Sequence, residues 1–352
     1  MKNKLFAFTK NNRVKSYFRT LMILSLVLLF CQFKNESKNS TSLPDSKFNG
    51  VQIGTITFSF RGINGVDETI KACVDAGVSS IELMGDGIEE YLGAPKNPVP
   101  RGPMGPPPSA QPGAGGAMPP MGPPPQQKLT PEQQVAVDKY KAELKEWRKT
   151  EGTIDKYEKL RKKFNDAGIS IHIYKWVAGE SDEELDYSFK IAKALGAMGI
   201  STELSENACK TYGSIAEKNG MVAIFHNHMQ YAQPGFDVDK LLAYSPANRL
   251  NFDAGHYFGS TGLNPCDFIK KYHDRIASVH LKDKTGPDNA TQKNANQVWG
   301  QGETPLNELL KLIQKEKWPI YCDIELEYTV APWSNAVKEV NTCVKFCRQI
   351  LL

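Results

Sequence analysis

The sequence predicts an α/β fold, a (β/α)8 TIM barrel, and three observations carry that reading. Short apolar, β-branched runs alternate with helical spacing from Val51 almost to the C-terminus. Helical segments repeatedly close on glycine just before the next run, as glycine C-caps do. Several runs end in His, Asp or Glu, which is how a parallel barrel brings its chemistry to one rim.

The elements follow in order. Val51–Phe58 reads as a strand, Val66–Ala76 as a helix closed by Gly77, and Ser80–Met84 as the second strand. From Leu92 the chain turns Pro/Gly/Met-rich, with Pro106-Pro-Pro108 and Pro123-Pro-Pro125. Such composition favours extended chain over a packed core, so 92–128 is read as an insertion. It starts at the catalytic rim, where a lid and an ornamental loop are equal readings. Thr130-Pro-Glu-Gln opens a charged helix to Thr150.

Alternation then resumes. Helices at 154–167, 182–195, 209–219, 237–243, 265–272 and 305–315 separate strands at 169–177, 198–204, 221–228, 250–253, 276–281 and 320–326. A last helix spans 333–350. A doubly wound sheet is the alternative, but no GxGxxG follows the first strand.

Composition narrows the class. Of 352 residues, 40% are hydrophobic and 23% charged, ordinary for a globular enzyme. The net charge of +4 owes much to Lys2, Lys4, Lys10, Arg13, Lys15 and Arg19, so no nucleic-acid partner is expected. Those charges precede Leu21–Phe30, an apolar run too short to span a bilayer comfortably, and then Cys31. Residues 1–31 therefore read as an export segment, with Cys31 resembling a lipoprotein lipidation site. Phe30 departs from the small residue expected there. Residues 32–50 read as a polar tether, and 51–352 as the barrel. The expected location is the cell envelope, lipid-anchored or periplasmic, with the membrane contacted through the N-terminal segment. Six further cysteines form no CxxC pair and give no disulfide assignment.

The chemistry gathers at strand ends. Leu250-Asn-Phe-Asp-Ala-Gly-His256, Ser278-Val-His-Leu-Lys-Asp283 and Ile320-Tyr-Cys-Asp-Ile-Glu-Leu-Glu-Tyr328 each end an apolar run in carboxylate or imidazole. Residues two apart share a strand face, pairing His226 with His228, His280 with Lys282, and Glu325 with Glu327. Glu203 holds the same late position on its strand. Mixed oxygen and nitrogen donors of this kind suit a divalent ion, Mn, Mg, Co or Zn.

With Ala76-Gly-Val-Ser-Ser-Ile-Glu-Leu83, Phe252-Asp-Ala-Gly-His256, Asp274–Asp283, Trp299-Gly-Gln-Gly302 and Ile324-Glu-Leu-Glu-Tyr328, the chain from Val51 onward resembles the xylose isomerase-like TIM-barrel superfamily. That superfamily includes sugar phosphate isomerases and epimerases, inosose dehydratase and endonuclease IV. The resemblance implies metal ligation by Asp253, His280 and Glu325. The family's fourth ligand is a fifth-strand glutamate, where this chain has His226-Asn-His228. Glu203 is the favoured substitute, with His226 or His228 as the alternative.

The implied activity is metal-dependent isomerisation or epimerisation of a keto sugar or cyclitol, through a metal-polarised carbonyl and proton transfer. Alternatives are dehydration or β-elimination on a 3-keto sugar or glycoside, and a non-catalytic sugar-binding envelope protein. Endonuclease activity fits poorly with only six histidines. Glu327, His228 and His256 are candidate acid/base groups, and Lys282 a candidate to neutralise oxyanion charge. Glu82, His226, Lys175 and Trp299 are candidate substrate contacts. Arg275, at the opposite rim, reads as structural. A small carbohydrate is the expected partner, and a homo-oligomer is compatible with the sequence.

Overall fold

The computed structural model describes residues 43–99 and 129–352. The export segment, Cys31 and insert residues 100–128 lie outside the described residues. Among the described residues no helix is long and apolar enough to cross a membrane.

Eight parallel strands close into a barrel: β1 (Val51–Ile56), β2 (Ser80–Met84), β3 (Ser170–Lys175), β4 (Gly199–Glu203), β5 (Val222–His226), β6 (Asn248–Asp253), β7 (Ile276–Leu281) and β8 (Tyr321–Ile324). Each pairs with its sequence neighbour, and β8 pairs with β1 to complete the ring. The outer helices are α1 (Val66–Ala76), α2 (Pro131–Thr150), α3 (Ile154–Asp166), α4 (Asp182–Leu195), α5 (Glu206–Lys218), α6 (Val238–Ala243), α7 (Ala254–Thr261), α8 (Pro265–Tyr272), α9 (Leu306–Glu316) and α10 (Ala336–Leu351).

Local signals explain the boundaries. Gly77 and Gly196 end α1 and α4 in the left-handed conformation, which spares a side chain the strain of positive φ. The Thr130 and Gln133 side chains form a capping box at the start of α2. The tether ends sooner than residue 50. Ser46 is buried, and Lys47–Phe48 pairs antiparallel with β1. Nor is the start of the insert free of packing, since Ala94 is buried against Leu144 and Trp147 of α2. The Arg148 guanidinium clamps Glu89 through two hydrogen bonds of 2.7 and 2.8 Å.

Most apolar burial lies between the sheet and the helices, with Phe164, Phe189, Leu250, Leu309 and Val340 fully covered. The barrel interior is unusually polar. Inward positions carry Ser80 and Glu82, Ser201, Asn251 and Asp253, Ser278 and His280, Asp323 and Glu325, all buried. In β3 the register slips, so Ile171 and Ile173 face consecutive β2 residues and His172 has no partner there. His172 Nε2 lies 2.8 Å from Asp323 Oδ2, and its Nδ1 2.8 Å from Ser80 Oγ. Gly54 makes room for this pair, because a Cβ there would stand 2.1 Å from Asp323 Oδ1. At the opposite end, Arg275 donates to the Leu242, Ser245 and Asn248 carbonyls, as its structural reading requires. The six described cysteines are buried thiols.

Candidate metal centre and acid–base cluster

Four adjacent strands each deliver one donor to the C-terminal mouth. His226 ends β5, Asp253 ends β6, His280 lies near the end of β7, and Glu325 follows β8 directly. All four are buried, and one donor atom from each lies within 4.8 Å of the others. His226 Nε2 stands 3.4 Å from Asp253 Oδ2 and 3.6 Å from Glu325 Oε2. His280 Nδ1 stands 2.7 Å from Glu325 Oε2.

These residues fit a divalent ion. Two imidazole nitrogens and two carboxylates form a donor set that such metals accept. His226 Nε2 is buried, yet it has no hydrogen-bond partner. Buried polar atoms are rarely left so. His226 thus stands in the four-donor cluster, while Glu203, the favoured substitute, gathers with His226 and His228 in a second group of possible donors. Glu203 Oε2 lies 3.4 Å from His226 Nδ1, on the ring edge away from the cluster.

Glu82 plays the same part for the other imidazole. Its carboxylate lies 2.7 Å from His280 Nε2 and also accepts from Ser201 Oγ and Asn251 Nδ2. Glu82, expected as a substrate contact, is fully buried inside the barrel behind the His280 ring. Burial alone would raise its pKa, but the His280 cation outweighs it and brings the carboxyl down to about 2. Carboxylates behind ligating histidines fix ring orientation, and losing one typically costs about 10–100-fold in metal affinity. Glu82→Gln is therefore expected to weaken metal binding by about that factor while the far-ultraviolet circular dichroism is unchanged. Calorimetric titration of the purified chain measures it.

Above the donors sits Lys282, itself buried. Its Nζ lies 2.9 Å from Asp253 Oδ2, 3.1 Å from Glu325 Oε2 and 2.7 Å from Glu327 Oε2. Burial would lower the ammonium's pKa, but these carboxylates overcompensate and raise it. His256 Nε2 lies 3.0 Å from the same nitrogen. Burial, reinforced by the Lys282 charge, drops the His256 pKa to about 3, leaving a neutral ring.

His256 sits on α7, a helix the sequence reading treated as loop. Asp253 caps that helix, its Oδ1 accepting the His256 backbone N–H at 2.6 Å. Gly255 permits the close approach of α7 to β7, since a Cβ there would meet Lys282 Cγ at 2.2 Å and the Lys282 carbonyl oxygen at 2.7 Å.

The remaining candidates divide. His228 lies beyond the end of β5, half-exposed, its Nδ1 3.5 Å from Glu203 Oε2. Burial and the His226 charge lower its pKa. Lys175 is engaged with Glu203 Oε1 at 2.9 Å. Trp299, expected to stack on a sugar, is buried edge-on to Phe346 of α10. Sequence reasoning passed over Lys284 and Asn296, which border Glu327 and are taken up below. The period-two run His280, Lys282, Lys284 was the available signal for the lysine.

Protonation sets a pH dependence. Burial disfavours a charged His280, but Glu325 and Glu82 outweigh it and raise its pKa from 6.5 to about 9. The proton on His280 then stabilises the metal-free fold fully below pH 6.5, and this contribution is lost as pH rises through about 9. Denaturation midpoints in chelator are expected to fall across that interval. Apparent metal affinity is expected to climb over the same interval, because the metal displaces that proton.

Comparison with known proteins agrees with this fold. Residues 202–347 match the family model of the xylose isomerase-like TIM barrel. Inosose dehydratase from Clostridium botulinum is 40% identical over 83 residues, 23% of this chain and 28% of that protein. Inosose dehydratase from Clostridium perfringens is 29% identical over 144 residues, 36% of this chain and 48% of that protein. The chain thus spans half or less of the curated relatives it matches. Among solved structures, the IolI protein with a bound zinc atom superposes with a TM-score of 0.53 at 12% identity, covering 86% of this chain and 98% of that one. The probable 3-DHS dehydratase AsbF from Bacillus anthracis gives 0.52 at 13% identity, covering 84% and 98%. At such identities these structures establish the shared fold alone.

Proposed function

For a chain that carries the xylose isomerase-like TIM barrel, we propose a metal-dependent enzyme that removes the proton beside the carbonyl of a keto sugar or cyclitol and completes the reaction by β-elimination. The leaving group is water or a glycosyloxy group. The observation that carries this reading is the contact of Lys282 Nζ with both Glu327 Oε2, at 2.7 Å, and His256 Nε2, at 3.0 Å, directly above the four-donor cluster. The inosose dehydratase relatives support elimination over the isomerisation expected first.

His226, Asp253, His280 and Glu325 would hold the ion. When bound, it supplies Lewis-acid polarisation of substrate oxygens. Glu327, whose pKa burial would raise but Lys282 brings down, accepts the carbon-bound proton at Oε2. The electron pair of that C–H bond forms the new carbon–carbon double bond as the β-oxygen departs. Lys282 Nζ donates the proton that the leaving oxygen takes up. Neutral His256 accepts from Lys282 and keeps its remaining N–H bonds aimed inward.

Metal-loaded protein offered keto-inositols and 3-keto glycosides in deuterated water tests this. An enone absorbance is the expected result. Deuterium in recovered ketone without enone would select isomerisation or epimerisation, and neither signal in any substrate would overturn both in favour of a sugar-binding barrel. Glu327→Gln is expected to lower the rate at least about a hundredfold, the lower range for losing a positioned base. Single-turnover kinetics measures it. An envelope location, resting on residues 1–31 alone, is part of the proposal and favours an unphosphorylated substrate.

A further inference from the structure

Among the described residues two lysines are buried, Lys282 and Lys284. Lys282 is met by three carboxylates. Among the described residues Lys284 has no carboxylate within ion-pair distance, and one of its three N–H bonds is used, on Asn296 Oδ1 at 3.0 Å. Buried ammonium groups are ordinarily paired. The insert cannot supply the missing charge, since residues 100–128 contain neither Asp nor Glu.

The place of Lys284 says what is missing. Asp283 turns outward and accepts the backbone N–H groups of Gly300 and Gly302. Lys284 points elsewhere, its Nζ on Asn296 Oδ1. His280 near the end of β7, Lys282 just after it and Lys284 in a separate two-residue strand follow one another along the chain beyond the donor cluster. The short ribbon pairing Asn296 with Lys284 holds the last of them, and Asn296 Nδ2 reaches back to Glu327 Oε2 at 3.4 Å. Burial and repulsion from Lys282 lower the Lys284 pKa to about 8, in keeping with an ammonium that lacks its counter-ion.

We propose that Lys284 receives a carboxylate of the substrate, so that the site takes an acidic sugar or cyclitol and reads its anionic end one step out from the reacting carbons. A carboxylate is chosen over a phosphate because a single ammonium beside a neutral amide matches one charge. The inference rests on the proposed function for its location. Its test reads binding without turnover, so the two fail separately.

The full chain, metal-free and labelled with 13C at lysine Cε, is titrated at neutral pH with glycolate and, separately, with inorganic phosphate. The Lys284 signal is identified by its absence in Lys284→Met. Glycolate is expected to shift it saturably and at lower concentration than phosphate. Asn296→Asp, which places a carboxylate beside Nζ while keeping the lysine and the side-chain shape, is expected to weaken glycolate binding at least about tenfold, as an internal charged partner should. Phosphate acting at lower concentration than glycolate would overturn the carboxylate assignment. No saturable shift with either anion, or an Asn296→Asp variant that binds as wild type, would overturn the role of Lys284.

Discussion

Lys282→Met is expected to destabilise the metal-free protein by about 3–5 kcal/mol, the cost of removing one partner from a buried charge cluster. The lysine is the one ammonium touching Asp253, Glu325 and Glu327 together. Without it those carboxylates face one another at the barrel mouth. The same substitution is expected to tighten metal binding, because the ammonium lies against two of the oxygens a metal would use. Stability falls in chelator and recovers with added metal as affinity rises. Urea unfolding with and without metal separates the two effects, and a variant as stable as wild type in chelator would show that Lys282 is not the internal counter-ion.

His280→Ala is expected to reduce bound metal to background and remove turnover altogether. This ring joins Glu325 on one edge to Glu82 on the other, so its loss deletes a donor and also strands a buried carboxylate on each side. His226→Ala should lose metal as well, whereas His226→Glu should retain it by restoring an acidic donor at the end of β5. Elemental analysis of the purified variants is the measurement. Stoichiometric metal in His280→Ala would place the centre elsewhere.

The barrel was legible because it is written in period. Val66–Ala76, Ser80–Met84, Asp182–Leu195, Pro265–Tyr272 and Ile276–Leu281 have in the structure the bounds their patterns indicate. The α7 helix was hidden. Its cap is a site carboxylate, and Ala254-Gly-His reads as loop when glycine is taken as a breaker. Asp253, His280 and Glu325 were visible as strand-end residues, whereas the choice between Glu203 and His226 was not, for a geometric reason. Glu203 and His226 sit side by side on paired strands, and only the direction of the ring shows which one faces the centre. Glu82 looked like a rim residue because sequence gives strand position without depth.

Asp253 serves two structures with its two oxygens. Oδ1 starts α7, and Oδ2 belongs to the donor cluster. A chain that frays at residue 254 gives up the ion's seat in the same event, and whatever occupies the seat nails down the helix. Recognition and local folding would therefore be coupled at this corner of the barrel, since the same carboxylate starts α7 and belongs to the donor cluster.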